Sequence, residues 1–205
     1  MTATTLLPGL NVSRETFERL QALAELVLKW TQRINLISAA SAPDIWTRHI
    51  VDSAQLFGLE PEFQHWADLG SGAGFPGIVI ATLAAEHLPQ AKITLVESDQ
   101  RKATFLRSAN RELGLSALIL TDRIEALAPL GADMLSARAL GPLDALLGHA
   151  ARHLTSDGIA LFPKGRTVDA EIATARTNWG FELDRCPSIT DPEAAILRIK
   201  GISRV

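Results

Sequence analysis

The segment HWADLGSGAGFPG, residues 65–77, constrains the fold of this chain more than any other. A short apolar run ends at Leu69, a cluster of Gly70, Gly72 and Gly74 follows, and apolar residues resume after Gly77. Glycine tolerates left-handed backbone angles and lets a ligand approach the main chain closely. Pro76 suits the first turn of the helix that follows, and the free N–H groups of a helix start favour a polar or anionic group beside them. Glycines placed between a strand and a helix in this way form a ligand-binding turn.

The rest of the chain agrees. Past residue 64, strands are predicted at 65–69, 93–97, 117–120, 133–137 and 158–163, alternating with helices at 77–87, 101–113, 143–154 and 168–179. Residues 181–186 and 194–200 close the sheet as a final pair. This alternation predicts an α/β fold with a mostly parallel sheet. Upstream, residues 1–12 read as a loose lead-in. Ser13 then caps a helix in which Phe17, Leu20, Leu23, Ala24, Val27 and Leu28 recur at helical spacing. A second helix opens at Pro43 and Asp44 and runs through Trp46 and Ile50 to about Phe57. Residues 1–60 are therefore expected to form an N-terminal helical cap, packed in one compact unit on a ligand-binding domain of residues 61–205.

Which ligand the turn holds depends on its neighbours. Gly72, Gly74 and Gly77 satisfy G-x-G-x-x-G, and Glu97 lies 20 residues beyond Gly77. That spacing fits a dinucleotide and so an NAD-dependent reductase. Asp68, two residues before Gly70, argues for a different ligand. A carboxylate beside the turn would repel a pyrophosphate and attract the ammonium and sulfonium of S-adenosylmethionine. Glu97, at the end of the second strand, is placed to accept hydrogen bonds from both hydroxyls of the adenosine ribose. The plainer roles are a loop cap for Asp68 and a solvated strand end for Glu97.

Composition narrows the setting. The net charge of −3 withholds the basic total of many nucleic-acid-binding proteins, so any such contact must come from a local patch. The single cysteine, Cys186, permits no internal disulfide, and a reducing cytoplasm is the expected location. No signal-peptide pattern and no long apolar run point to export or a membrane. No metal site is expected: His49 and Asp52 share a helical face and can hydrogen-bond, but two potential ligands are too few. Arg101, Lys102, Arg107 and Arg111 form a basic stripe of the kind that is usually a solvated helix face. Trp30, Trp46 and Trp66 have the chemistry to stack on bases, although Trp30 and Trp46 at helical spacing suit anchors between cap and sheet.

Several stretches together resemble the RsmG (GidB) family, bacterial 16S ribosomal RNA guanine-N7 methyltransferases. They are Trp30 with Ile34-Asn35-Leu36, the run Trp46-Thr47-Arg48-His49-Ile50-Val51-Asp52-Ser53, and above all Ala73-Gly74-Phe75-Pro76-Gly77. Val96-Glu97-Ser98, Lys102 with Phe105-Leu106, Arg123-Ile124-Glu125, Ala137-Arg138-Ala139 and Lys164-Gly165 follow in the family's order. The resemblance implies a Rossmann-like class I methyltransferase sheet with S-adenosylmethionine as cofactor. It places Gly70 and Phe75 at the cofactor loop, where the turn itself already puts Asp68, Gly72, Gly74 and Glu97, and Ile124 and Glu125 beside the adenine. Arg138 would face both cofactor and target base. Relatives carry an arginine near the start of the last strand, where this chain has Glu193-Ala194-Ala195-Ile196, and Arg198 falls in a different register.

The implied partner is 16S ribosomal RNA or the small ribosomal subunit, acted on by a monomer. Guanine N7 carries a lone pair and no proton, so alignment and water exclusion would carry the reaction, with Arg138 the expected catalytic residue. Arg138 and Lys164 lie near predicted strand ends, where an arginine can bond guanine O6 or a phosphate, or form a structural ion pair. Arg123 and Lys164 are the expected RNA contacts. Competing readings are the NAD-dependent reductase, a methyltransferase for another substrate, and a catalytically idle RNA-binding module.

Overall fold

The computed structural model describes residues 4–205. Its centre is β3 (His65–Leu69), an unbroken apolar run apart from His65 and Asp68 that is buried on both faces, as the inner strand of a parallel sheet must be. On one side β3 pairs with β4 (Lys92–Val96), which pairs with β5 (Leu118–Leu120), all parallel. On the other it pairs with β6 (Ala132–Ala137), which is parallel to β7 (Leu154–Lys164). The last two strands, β8 (Trp179–Pro187) and β9 (Ala195–Arg204), form an antiparallel pair, and β9 runs between β7 and β8. The seven-strand order is β5-β4-β3-β6-β7-β9-β8. Sequence order reverses direction at β3, so the crevice beyond the carboxyl ends of β3 and β6 is the switch point where α/β sheets bind ligands.

Helices cover both faces. Leu20 of α1 (Arg14–Thr31), Phe57 of α2 (Asp52–Leu59), Ile80 of α3 (Gly77–His87) and Phe105 of α4 (Gln100–Glu112) join Trp66 in one buried cluster. Leu147 of α5 (Leu143–His153) and Val168 of α6 (Val168–Ala175) join Leu135, Phe162 and Leu197 in a second. Ser13 caps α1 through its hydroxyl, which accepts from Thr16 N at 3.1 Å. The Ser13 amide also donates to Glu86 at 3.0 Å, tying the start of α1 to α3. Trp30 packs edge-on against Phe105 of α4 and so ties the cap to the sheet domain, whereas Trp46 packs against Phe17 within the cap itself. Trp66 is fully buried, which removes it from any base-stacking role.

Three expectations need correction. Residues 4–12 are not a loose lead-in but a hairpin of β1 (Thr4–Leu7) and β2 (Leu10–Val12), turned at Gly9 with φ +83°. These strands are too short to show periodicity, yet they bury Leu6, Leu10 and Val12; residues 1–3 lie outside the described region. The second cap helix begins as a π-helical turn, Trp46–Val51, and becomes α-helical only at Asp52. The helix expected over 168–179 stops at Ala175, because the apolar residues Trp179 and Phe181 belong to β8.

Candidate functional site

A cleft of about 910 Å³ opens over the carboxyl ends of β3, β6 and β7, with cap residues 36–52 contributing its facing wall. Gly70, Ser71, Gly72, Ala73 and Phe75 line it from the sheet side. The turn is held in place by Val96 O, which accepts from Gly70 N at 2.9 Å and Ser71 N at 3.0 Å. Gly70, Gly72 and Gly74 all have positive φ, so the glycines meet a backbone requirement. Gly72 leaves open floor: a Cβ there would meet nothing nearer than Gly70 O at 3.8 Å. Gly74 faces inward instead, where a Cβ would fall 2.6 Å from Ile78 Cγ1, and it does not line the cleft.

The two acids of the turn act on the backbone. Asp68 is fully buried; its Oδ2 accepts from Gly77 N at 3.1 Å and its Oδ1 from the Ser136 hydroxyl at 2.7 Å. Ser136 in turn accepts from the Trp66 indole at 2.8 Å. The picture of Asp68 as a carboxylate facing the ligand is therefore corrected: it braces the start of α3 from below. Glu97 accepts from Gly72 N at 2.9 Å and from Asp99 N at 2.8 Å, clamping the turn to the end of β4.

Arg138 follows β6 and lines the cleft. Its guanidinium donates to Arg48 O at 3.2 Å, Asp52 Oδ2 at 3.3 Å and His49 Nδ1 at 2.8 Å, and lies 5.4 Å from the centre of the Phe75 ring. His49 and Asp52 thus share a face, as their spacing predicts, and Arg138 bridges them. Because Arg138 can only donate, His49 accepts at Nδ1 and carries its proton on Nε2. The imidazole stacks on Phe75 at 4.9 Å.

Burial pushes Asp68 up to about 6, and burial with the neighbouring Arg138 and Arg48 charges pulls His49 down to about 4. Burial lowers His65 and His153 as well. A raised acid stabilises fully below its free value of 3.8 and loses that contribution as pH rises through about 6. A lowered histidine stabilises fully above 6.5, and for His49 the contribution is lost as pH falls through about 4. Three histidines oppose one aspartate, so urea midpoints should climb between pH 4.5 and 6.5, less steeply in His49→Asn and more steeply in Asp68→Asn. Identical midpoints across that range in all three proteins would contradict the assignment.

The other sequence-derived residues divide. Lys164 lines the cleft, but its ammonium is paired with Glu171 at 2.7 Å and with Gly141 O at 2.8 Å. Arg123, Ile124 and Glu125 lie on a short turn after β5 and do not line the cleft. The Arg123 side chain is largely solvent-exposed, Ile124 is buried in the second core cluster, and Glu125 lies 3.8 Å from His149. Arg198 is paired with Glu60 and Asp184, away from the cleft. In the basic stripe only Lys102 reaches the cleft. Arg48, Thr190, Asp191 and Glu171 also line it and were not singled out from sequence as ligand contacts. For Arg48 a signal existed, since it lies four residues before Asp52 on one helical face. Among the described residues no group of three or more His, Cys, Asp or Glu is placed to hold a metal, and no helix is long and apolar enough to cross a membrane.

A seven-stranded sheet of this order, with a glycine turn at its switch point, is the Rossmann-like fold of the S-adenosylmethionine-dependent methyltransferases. One such enzyme from Aquifex aeolicus superposes with a TM-score of 0.60 at 12% identity, over 86% of this chain and 97% of that one. A mutant of MtNAS in complex with S-adenosylmethionine superposes at 0.58 with 15% identity, over 91% and 72%.

Within that class the chain belongs to the GidB family, rRNA small subunit methyltransferase G, whose pattern it matches over residues 16–195. It is 55% identical to the ribosomal RNA small subunit methyltransferase G of Ruegeria pomeroyi, with 96% of each chain covered. It is 46% identical to that of Paramagnetospirillum magneticum, over 97% and 95%. Family and fold both point to S-adenosylmethionine as the cofactor and set aside the NAD-dependent reductase.

Proposed function

We propose that this protein transfers a methyl group from S-adenosylmethionine to N7 of a guanine in 16S ribosomal RNA. The observation that carries the reading is the state of Arg138. A guanidinium has five N–H groups, and Arg138 gives three to the cap. Its Nε–H and one Nη2–H remain, on a side chain immobilised at the rim of the glycine turn. Such an edge matches guanine O6 or a phosphate oxygen and leaves N7 free.

The site fits the cofactor on two grounds. The cleft has the size of a small-molecule site, and the floor above Gly72 is open where any side chain would intrude. Gly70, Gly72 and Phe75 would hold the cofactor directly, with Asp68, Gly74 and Glu97 fixing the turn beneath it. Glu125 would flank the adenine from the β5 side, whereas Ile124, buried in the second core cluster, would pack beneath it. S-adenosylmethionine supplies a methyl group already activated on a sulfonium. The chain's residues therefore need only orient the base and exclude water, and no general base is required at a nitrogen with no proton to lose. Arg48 and Lys102, on the cleft and without an acidic partner among the described residues, are the RNA phosphate contacts this geometry favours over Arg123. Lys164 supports the wall through Glu171.

Small ribosomal subunits or 16S rRNA from a strain lacking the enzyme, incubated with methyl-labelled cofactor, should gain label at one guanine N7. Label elsewhere in the RNA, or none under conditions where calorimetry shows cofactor binding, would overturn the proposed target.

A further inference from the structure

The carboxylate that holds Arg138 is itself held by a loop far along the chain. Asp52 Oδ1 accepts from Thr190 Oγ1 at 2.7 Å and from Gln55 Nε2 at 2.8 Å, leaving Oδ2 to Arg138. A carboxylate only accepts, so the direction of every bond behind it is fixed. Thr190 gives its hydroxyl proton to Asp52; Ser188 Oγ, 3.0 Å away, must then donate to Thr190. Ser188 Oγ accepts from Gln55 Nε2 and from Thr190 N, both at 3.2 Å. The Gln55 carbonyl faces the other way and accepts from Ile189 N at 3.0 Å. A closed set of oriented hydrogen bonds results, of the kind that rigidifies the groups it contains. Thr190 and Asp191 in this loop also line the cleft.

We propose that Thr190 is a positioning residue for methyl transfer. Acting through Asp52, it fixes the plane in which Arg138 presents its two remaining donors, and it makes the loop of residues 188–194 part of the reactive centre. Loss of the Thr190 hydroxyl leaves Asp52 Oδ1 with Gln55 alone and frees the carboxylate to rotate. The loop keeps its place, because Gln55 still grips Ser188 and Ile189. The inference rests on the role given to Arg138 above.

The test compares Thr190→Val, which keeps the shape and removes the hydroxyl, with Thr190→Ser, which keeps it. Small ribosomal subunits lacking the methyl group serve as substrate. Thr190→Val should lower kcat about tenfold, leave cofactor Kd by calorimetry and the unfolding temperature unchanged, and speed the guanidinium rotation of Arg138 seen by NMR in cofactor-free protein. Thr190→Ser should restore both kcat and the slow rotation. Unchanged kcat and rotation in Thr190→Val would overturn the proposal, as would a loss of kcat that tracks a loss of thermal stability and is not restored by serine. Arg138→Ala separates the two readings. If it methylates normally, the role of Arg138 fails and the relay with it; if it is inactive while Thr190→Val is fully active, the relay alone fails.

Discussion

Methyl transfer by Arg138→Ala should fall roughly 10²–10³-fold, the usual cost of removing one preorganised donor from a reacting centre. The fold should survive. Asp52 keeps Thr190 and Gln55 as donors to Oδ1, and its Oδ2, which loses Arg138, lines the open cleft where water can take the arginine's place. The cap stays docked through Leu20, Phe57 and the Trp30–Phe105 contact, none of which touches the arginine. The stability lost is that of hydrogen bonds to a charged group, about 1–3 kcal/mol, or a few degrees in unfolding temperature for a chain of this size. Arg138→Lys should not rescue activity. One ammonium cannot satisfy Arg48 O, His49 Nδ1 and Asp52 and still offer a planar pair of donors to a base. Labelled-methyl incorporation, with cofactor titration and thermal unfolding on the same samples, checks all of this. An unfolded Arg138→Ala would make the arginine a structural tie between cap and sheet; a folded and fully active one would remove it from the chemistry.

The cap contact of Arg138 also shows where sequence stops being readable. Strand, glycine turn and helix at residues 65–87 were legible because each obeys a local rule: apolar run, positive φ, helical spacing. The mostly parallel sheet followed from their alternation and the closing pair from the apolar runs at 181–186 and 194–200, but the strand order and the antiparallel sense of that pair came only from the structure. Partners far apart in sequence leave no such trace. Arg138 meets Asp52 across 86 residues and Thr190 meets Asp52 across 138. Asp68 shows a subtler failure: its closeness to the ligand turn was correct, its direction was not. An inner strand puts successive side chains on opposite faces, and that of Asp68 turns into the protein to meet Ser136 on the neighbouring strand. Ile124 was similarly ambiguous, since an isoleucine after a strand serves a core as readily as a ligand, and here it is buried.

Gly72→Ala and Gly74→Ala should separate ligand binding from folding, although the two glycines are neighbours in one motif. Both have positive φ, at +54° and +86°, so alanine at either position costs about 1–2 kcal/mol of backbone strain. Their surroundings differ. At Gly74 the new methyl would sit 2.6 Å from Ile78 Cγ1 and 3.3 Å from Leu106 Cδ2, both on fully buried residues. Overpacking of that kind adds about 1–3 kcal/mol, and the sum is a large part of the roughly 5–15 kcal/mol that holds a domain together. Gly74→Ala should therefore unfold several degrees or more below the parent. At Gly72 the methyl meets only Gly70 O, at an ordinary contact distance of 3.8 Å, and projects over the floor of the cleft. Gly72→Ala should keep most of its stability and lose at least about tenfold in cofactor affinity, equivalent to ~1.4 kcal/mol. Calorimetric titration with S-adenosylmethionine and thermal unfolding of both variants decide the matter. Parent-like binding by Gly72→Ala would move the cofactor off the glycine turn, and parent-like stability in Gly74→Ala would mean that Ile78 and Leu106 yield where their burial says they cannot.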